Sequence, residues 1–171
     1  MKYRPLVAAV LLLGLALPAS ATAAEQTFVA TYRDWSLFTY EDGDSRLCFI
    51  ASEPKARDGN YTRRGDPALL VTRLPGEADS AEVSMQPGYT FLDESVVRIV
   101  VDGNRSFEMF TQGEYAWTRS PADDRALIAA MRAGIELTAR GTSSRDTWSE
   151  DTYSLLGFTA AFNALEQACR Q

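Results

Sequence analysis

Arg46-Leu47-Cys48-Phe49-Ile50-Ala51-Ser52 is the stretch on which the fold turns. Successive side chains of a strand point to opposite faces, so the unbroken apolar run Leu47–Ile50 makes both faces of this segment apolar. It reads as a central strand covered twice, by a second sheet or by a helix. Outward from it, Thr27–Arg33, Trp35–Tyr40, Ala68–Leu74, Ala81–Gln86, Ser95–Val101 and Arg105–Thr111 carry the aromatic and β-branched content of strands. Glu41-Asp-Gly-Asp-Ser45 and Asp102-Gly-Asn104 lie between such runs. Glycine accepts positive φ, and Asp or Asn bonds its own backbone, so both read as hairpin turns and the sheet as antiparallel. Ile135–Arg140 alternates, with Ile135, Leu137 and Ala139 on one face and Glu136, Thr138 and Arg140 on the other, as a strand with one wet face does. Glu53–Asp66 has Pro54, Gly59, Gly65 and scattered charges without periodicity, and reads as a long exposed loop.

Two helices follow late in the chain. Ser120 as N-cap, Pro121 at the first helical position, Asp123 three residues after the cap and Gly134 as terminator bracket a helix whose apolar face is Leu127, Ile128 and Met131. From about Leu155 to Arg170, the residues Leu155, Phe158, Phe162, Leu165 and Cys169 fall 3, 4, 3 and 4 apart, a single apolar stripe. Many short strands and two late helices predict a β-sandwich, or alternatively an α+β antiparallel sheet with a helical layer.

Cys48 and Cys169 are the two cysteines. One lies on the central strand and the other on the helix stripe that must pack on it, so a disulfide is the expected outcome, with two buried thiols as the alternative. No Cys-x-x-Cys spacing exists, which argues against redox catalysis.

The full chain has 171 residues, 17 basic and 23 acidic, a net charge of −6 and no histidine. The acidic balance speaks against nucleic acid as a partner. The missing histidine removes Ser-His-Asp and Cys-His catalysis and the commonest zinc and haem ligands. Residues 1–24 join Lys2 and Arg4 to the apolar run Leu6–Leu17, then Pro18 and the small residues of Ala21-Thr22-Ala23. That is the layout of a secretory signal peptide, with an apolar core too short to span a membrane. Cleavage near Ala24 removes Lys2 and Arg4, leaving a single domain, 25–171, with 15 basic against 23 acidic residues and a charge of −8. The expected location is periplasmic, extracellular or associated with the outer envelope, where paired thiols oxidise.

Tyr153-Ser-Leu-Leu-Gly-Phe-Thr-Ala-Ala-Phe162 resembles the closing motif of the invasion-associated locus B family of alphaproteobacterial envelope proteins. Asp34-Trp35 followed by Cys48 is similar to the family's opening, and Gly113-Glu-Tyr-Ala-Trp117 to its middle. The resemblance implies an immunoglobulin-like β-sandwich with a C-terminal helix and one further short helix, exported to the envelope. It carries over no biochemical activity. Many members have a second, close cysteine pair in the segment matched here by Phe107–Ala116, where this chain has no thiol. Gly157 reads as the point where strand becomes helix, and Ala160 and Ala161 as small residues that let the helix approach the sheet.

The function expected is an exported non-enzymatic interaction protein that meets an envelope component or another protein and needs no cofactor or metal. Candidate partner-binding residues are Arg63 and Arg64, whose planar forks suit phosphate or carboxylate on a basic loop shared with Arg57, and Tyr115 and Trp117. The two aromatics share one face of a strand and serve either core packing or recognition. Asp42 and Asp44 flank Gly43 but lack the other ligands of a calcium loop, so a hairpin turn suffices. The alternative function is a carboxylate-dependent hydrolase of polysaccharide built from Asp146, Glu150 and Asp151 around Trp148. Asp146 and Glu150, about 13 Å apart along an extended chain, exceed the separation that inverting glycosidases use, and a solvated strand edge is the simpler account.

Overall fold

The structure, a computed structural model, describes residues 25–42, 45–73 and 80–170. The expected leader, the Gly43–Asp44 tip of the first hairpin and the end of the expected strand at Leu74 lie outside the described residues. Among the described residues eleven strands form in chain order: β1 (Glu25–Tyr32), β2 (Trp35–Asp42), β3 (Ser45–Ser52), β4 (Ala56–Gly59), β5 (Ala68–Arg73), β6 (Ala81–Gln86), β7 (Val96–Val101), β8 (Arg105–Gln112), β9 (Tyr115–Trp117), β10 (Glu136–Thr142) and β11 (Trp148–Ser154). Helix α1 (Pro121–Ala133) enters between β9 and β10, and α2 (Phe158–Ala168) closes the described chain. Neither helix is long and apolar enough to cross a membrane.

All the strands belong to one antiparallel sheet in the order β1-β2-β3-β5-β6-β9-β8-β7-β10-β11-β4. The mainly β, sandwich-like fold with two helices is therefore present, and its layers come from a single sheet curling on itself. The short connection Glu53–Lys55 forces the curl, because it carries the chain from β3 to β4 at the opposite edge. Three bonds stitch the ends together there. Trp35 Nε1–H donates to the Ser154 carbonyl at 3.0 Å, the Asp34 amide to Leu156 at 3.3 Å, and the Lys55 ammonium meets Asp34 at 2.6 Å. The core fills the space between, with Trp35, Ile50, Val71, Ile99, Met109 and Leu137 fully buried.

The helix signals translate directly. The Ser120 hydroxyl accepts from the Asp123 amide at 3.2 Å, and Leu127, Ile128 and Met131 are buried. Helix α2 begins at Phe158 rather than near Leu155, because Gly157 takes a left-handed φ of +91° that ends the extended segment and caps the helix. A Cβ on Gly157 would overlap the Tyr32 carbonyl oxygen. Gly103 also has positive φ, +70°, but open space around it. Gly157→Ala is therefore expected to lower stability by more than about 2 kcal/mol, and Gly103→Ala by only the φ strain of about 1 kcal/mol. Urea titration of the two variants checks this, and equal losses would remove the steric role of Gly157.

Four details differ from the sequence expectation. Ile135 precedes β10 and is 69% exposed, since the Gly134 terminus turns the chain before the strand starts. Ala160 faces solvent and only Ala161 is buried against the sheet. Leu47 and Phe49 are half-buried rather than covered by a second layer. Phe49 instead stacks on Phe38 at 5.1 Å, which meets Phe28 edge-on at 5.8 Å. Finally, the segment read as one long loop contains β4, which pairs with β11 from Ala56↔Thr152 to Gly59↔Ser149.

The disulfide between Cys48 and Cys169 is formed. Cys48 is fully buried on β3, and Cys169 is the C-cap of α2. The bond thus ties the last helix to an inner strand across 121 positions of sequence.

Candidate functional site

Because β4 covers β11, β11 is not an edge, and its inward row Ser149, Asp151, Tyr153 is buried. A carboxylate there demands a partner, since burying a lone charge is very costly. The partner is Arg64, from the segment after β4. Its guanidinium grips Asp151 through both terminal nitrogens, one of them 2.8 Å from the second carboxylate oxygen. The side chains are 3% and 0% exposed. The same fork donates to the Pro87 carbonyl at 3.2 Å, and the guanidinium lies 4.7 Å from the centre of the Tyr61 ring. Burial works to lower the Arg64 pKa, but the Asp151 hydrogen bond and charge outweigh it and hold the group above its ordinary value. Tyr89 bonds the Ser149 hydroxyl at 2.8 Å, and burial raises the phenols of both Tyr89 and Tyr153. Among the described residues, two buried donors, Arg64 Nε and Tyr153 Oη, have no hydrogen-bond partner. Orphans of this kind are rare enough in native interiors to mark the place as unusual.

Above this pair lies a cavity of about 490 Å³, walled by three segments, residues 61–65, 88–90 and 143–145 with Thr147, together with Glu114. Backbone bonds fasten the three segments to one another: the Gly65 amide donates to Gly88 at 2.8 Å, and Ser144 to Thr90 at 2.9 Å. Arg63, Arg64 and Arg145 all contribute to the wall.

The hairpin β8–β9 places its aromatics outward. Ala116 points into the core and is fully buried, so Tyr115 and Trp117 on either side of it face away from the core. Their rings stack at 5.6 Å, and Phe110, opposite Trp117 in the register, continues the row at 5.7 Å. Tyr115 is 42% exposed. Beside Phe110 and Trp117 opens a second hollow of about 480 Å³ that Glu82, Gln112 and Arg119 also line.

The candidate residues thus separate into two groups. Arg63 and Arg64 belong to the cavity, Tyr115 and Trp117 to the outer strip. Arg64 is not on a solvated loop, because Asp151 holds it inside. The carboxylates also part: Asp146 is in a turn with φ +58°, outside β11, and Asp151 is interior rather than on a solvated edge. Glu150 faces out and pairs with Arg140 at 3.5 Å, whose guanidinium lies 4.0 Å from the centre of the Trp148 ring.

Comparison with known families matches residues 35–166 to the family described as Invasion associated locus B (IalB) protein. The chain belongs to this family. Comparison with curated proteins and with solved structures finds no match. The invasion associated locus B match opens at Trp35, which is stitched to Ser154, and ends at Glu166 inside α2. It contains the cavity, the Arg64–Asp151 pair and the aromatic strip. The β8–β9 hairpin that carries the strip spans the segment where the resemblance implies a second cysteine pair in other members.

Proposed function

We propose that this invasion associated locus B protein is an exported, non-enzymatic interaction protein of the cell envelope, and that the strip Phe110–Trp117–Tyr115 is its partner-binding surface. The observation that carries the proposal is the outward stacking of three aromatic rings on a hairpin whose intervening residue, Ala116, is core. Large rings held rigid by stacking offer contact area with little entropy left to lose, the property that makes Trp and Tyr dominate binding hot spots. The leader-like residues 1–24 and the disulfide agree with export to an oxidising compartment. The adjacent hollow with Arg119 gives the strip a polar rim.

The test is site-specific photo-crosslinking in cells of the native host, with the crosslinker at Gln112 beside the strip, followed by fractionation. A defined adduct in the envelope fraction is expected with the native strip. Trp117→Ser with Tyr115→Ser should weaken binding of the captured partner at least about 30-fold, the scale of two or more kcal/mol for a hot spot. Thermal midpoints should stay close to the wild type. Cytoplasmic retention of the uncleaved chain, or undiminished capture by the double variant, would overturn the proposal.

A further inference from the structure

We infer that the cavity above the Arg64–Asp151 pair is a binding site for an anionic sugar, one that bears a carboxylate or a phosphate. The inference stands apart from the aromatic strip and does not depend on it. Charge comes first. In a chain of net charge −6, three arginines converge on one hollow against the single wall carboxylate Glu114. Arg64 is neutralised from behind by Asp151, but Arg63 and Arg145 have no ion-pair partner among the described residues. Two guanidinium groups at one concavity without an ion-pair partner among the described residues attract an anion, and a planar fork suits both carboxylate and phosphate.

Size and wall chemistry then restrict the rest of the ligand. About 490 Å³ is far more than a bare phosphate fills and lies within the range of ordinary small-molecule sites. The anion is therefore attached to a larger body. That body is polar, because the hydroxyl-bearing residues Thr62, Thr90 and Ser144 share the wall with the arginines. An acyl chain would strand those groups without partners, whereas a sugar's hydroxyls meet them. Glu114 adds an acceptor for a sugar hydroxyl. The site is also preformed. The Gly65–Gly88 and Ser144–Thr90 bonds and the Arg64 bond to Pro87 hold its three walls together, so little ordering is required on binding. Gly88 is needed at this seam, since a Cβ there would run into the Gly65 backbone. Arg64 Nε, from the cavity wall, and Tyr153 Oη are buried donors without a partner among the described residues, the kind of group that calls for an explanation in a native interior.

Isothermal titration of the full-length processed protein tests the inference with four probes: oligogalacturonate, glucose 6-phosphate, glucose and inorganic phosphate. One or both anionic sugars should bind, and which one separates the carboxylate source from the phosphate source. Glucose and inorganic phosphate should each bind at least about tenfold more weakly. Arg63→Ala and Arg145→Ala are at the surface and should leave the thermal midpoint unchanged while each weakens binding at least about tenfold, the scale of one charge-assisted hydrogen bond. Raising the salt concentration should weaken it too. Trp117→Ser should have no effect on these affinities, which keeps this outcome distinct from the fate of the strip. Failure of both anionic sugars to bind at millimolar concentration, equal binding of inorganic phosphate, or indifference to the Arg63→Ala, Arg145→Ala double variant would each overturn the inference.

Discussion

Cys169→Ala should lower the thermal midpoint of the oxidised protein by on the order of 10 °C, and reduction of the wild type should produce a matching loss. The bond joins positions 121 residues apart. Closing so long a loop removes a large part of the unfolded chain's freedom: the chain-entropy model gives about 4.7 kcal/mol for a loop near 100 residues. A stability change of about 3–5 kcal/mol in a domain of this size moves the midpoint by a few degrees for each kcal/mol. The two cysteines should not be equivalent. Cys48 is fully buried among core residues of β3, whereas Cys169 is half-buried at the end of α2. Cys48→Ala therefore adds a small core void to the loss of the bond and should be the worse variant. Differential scanning calorimetry with and without reductant measures all three. Unchanged midpoints in both the Cys169→Ala variant and the reduced wild type would show that packing of α2, rather than the bond, holds the tail.

The disulfide, both helices and most strands are legible in the amino-acid sequence for a common reason: their signals are local. Ser120, Pro121 and Asp123 satisfy a helix start among themselves, and the spacing of Phe158, Phe162 and Leu165 needs no partner to be recognised. The Cys48–Cys169 pairing follows because each end sits on an independently legible buried face. What escapes is non-local. Strand β4 is Ala-Arg-Asp-Gly, hydrophilic at its centre and without a strand's composition, and its partner β11 lies some ninety positions on. Without β4, β11 looks like an edge, which in turn makes Asp151 look solvated and Arg64 look free. Alternation shows that Tyr115 and Trp117 share a face, but only the depth of Ala116 in the core decides which face. The turn at Gly134 takes Ile135 out of its strand for a similar reason. Nothing within the hexapeptide Ile135–Arg140 records where the preceding helix ends in space.

The ion pair that β4 conceals carries the second large effect. Asp151→Ala should destabilise the protein by about 3–5 kcal/mol, because it leaves a guanidinium buried without its counter-charge. Arginine has no escape by deprotonation, because even without the Asp151 carboxylate that raises it in the native protein its ordinary pKa lies far above accessible pH. Arg64→Ala should cost about as much by stranding the Asp151 carboxylate without its counter-charge. Arg64→Lys would keep the charge but lose the fork that serves both oxygens and Pro87, and should fall between the wild type and Arg64→Ala. The decisive variant is the double one, Arg64→Met with Asp151→Leu, which removes both charges at similar volume. It should be less destabilised than either truncation, since two apolar side chains need no partners. Chemical denaturation of the four variants at neutral pH gives the comparison. A double variant that loses as much as the two truncations added together would mean that the pair's hydrogen bonds to the loop, and not its mutual neutralisation, hold segment 61–65 over β11. The cavity itself depends on which account holds. If the ion pair only neutralises, the double variant keeps its three walls and the free Arg63 and Arg145, whereas if it is the clamp, the hollow collapses with it.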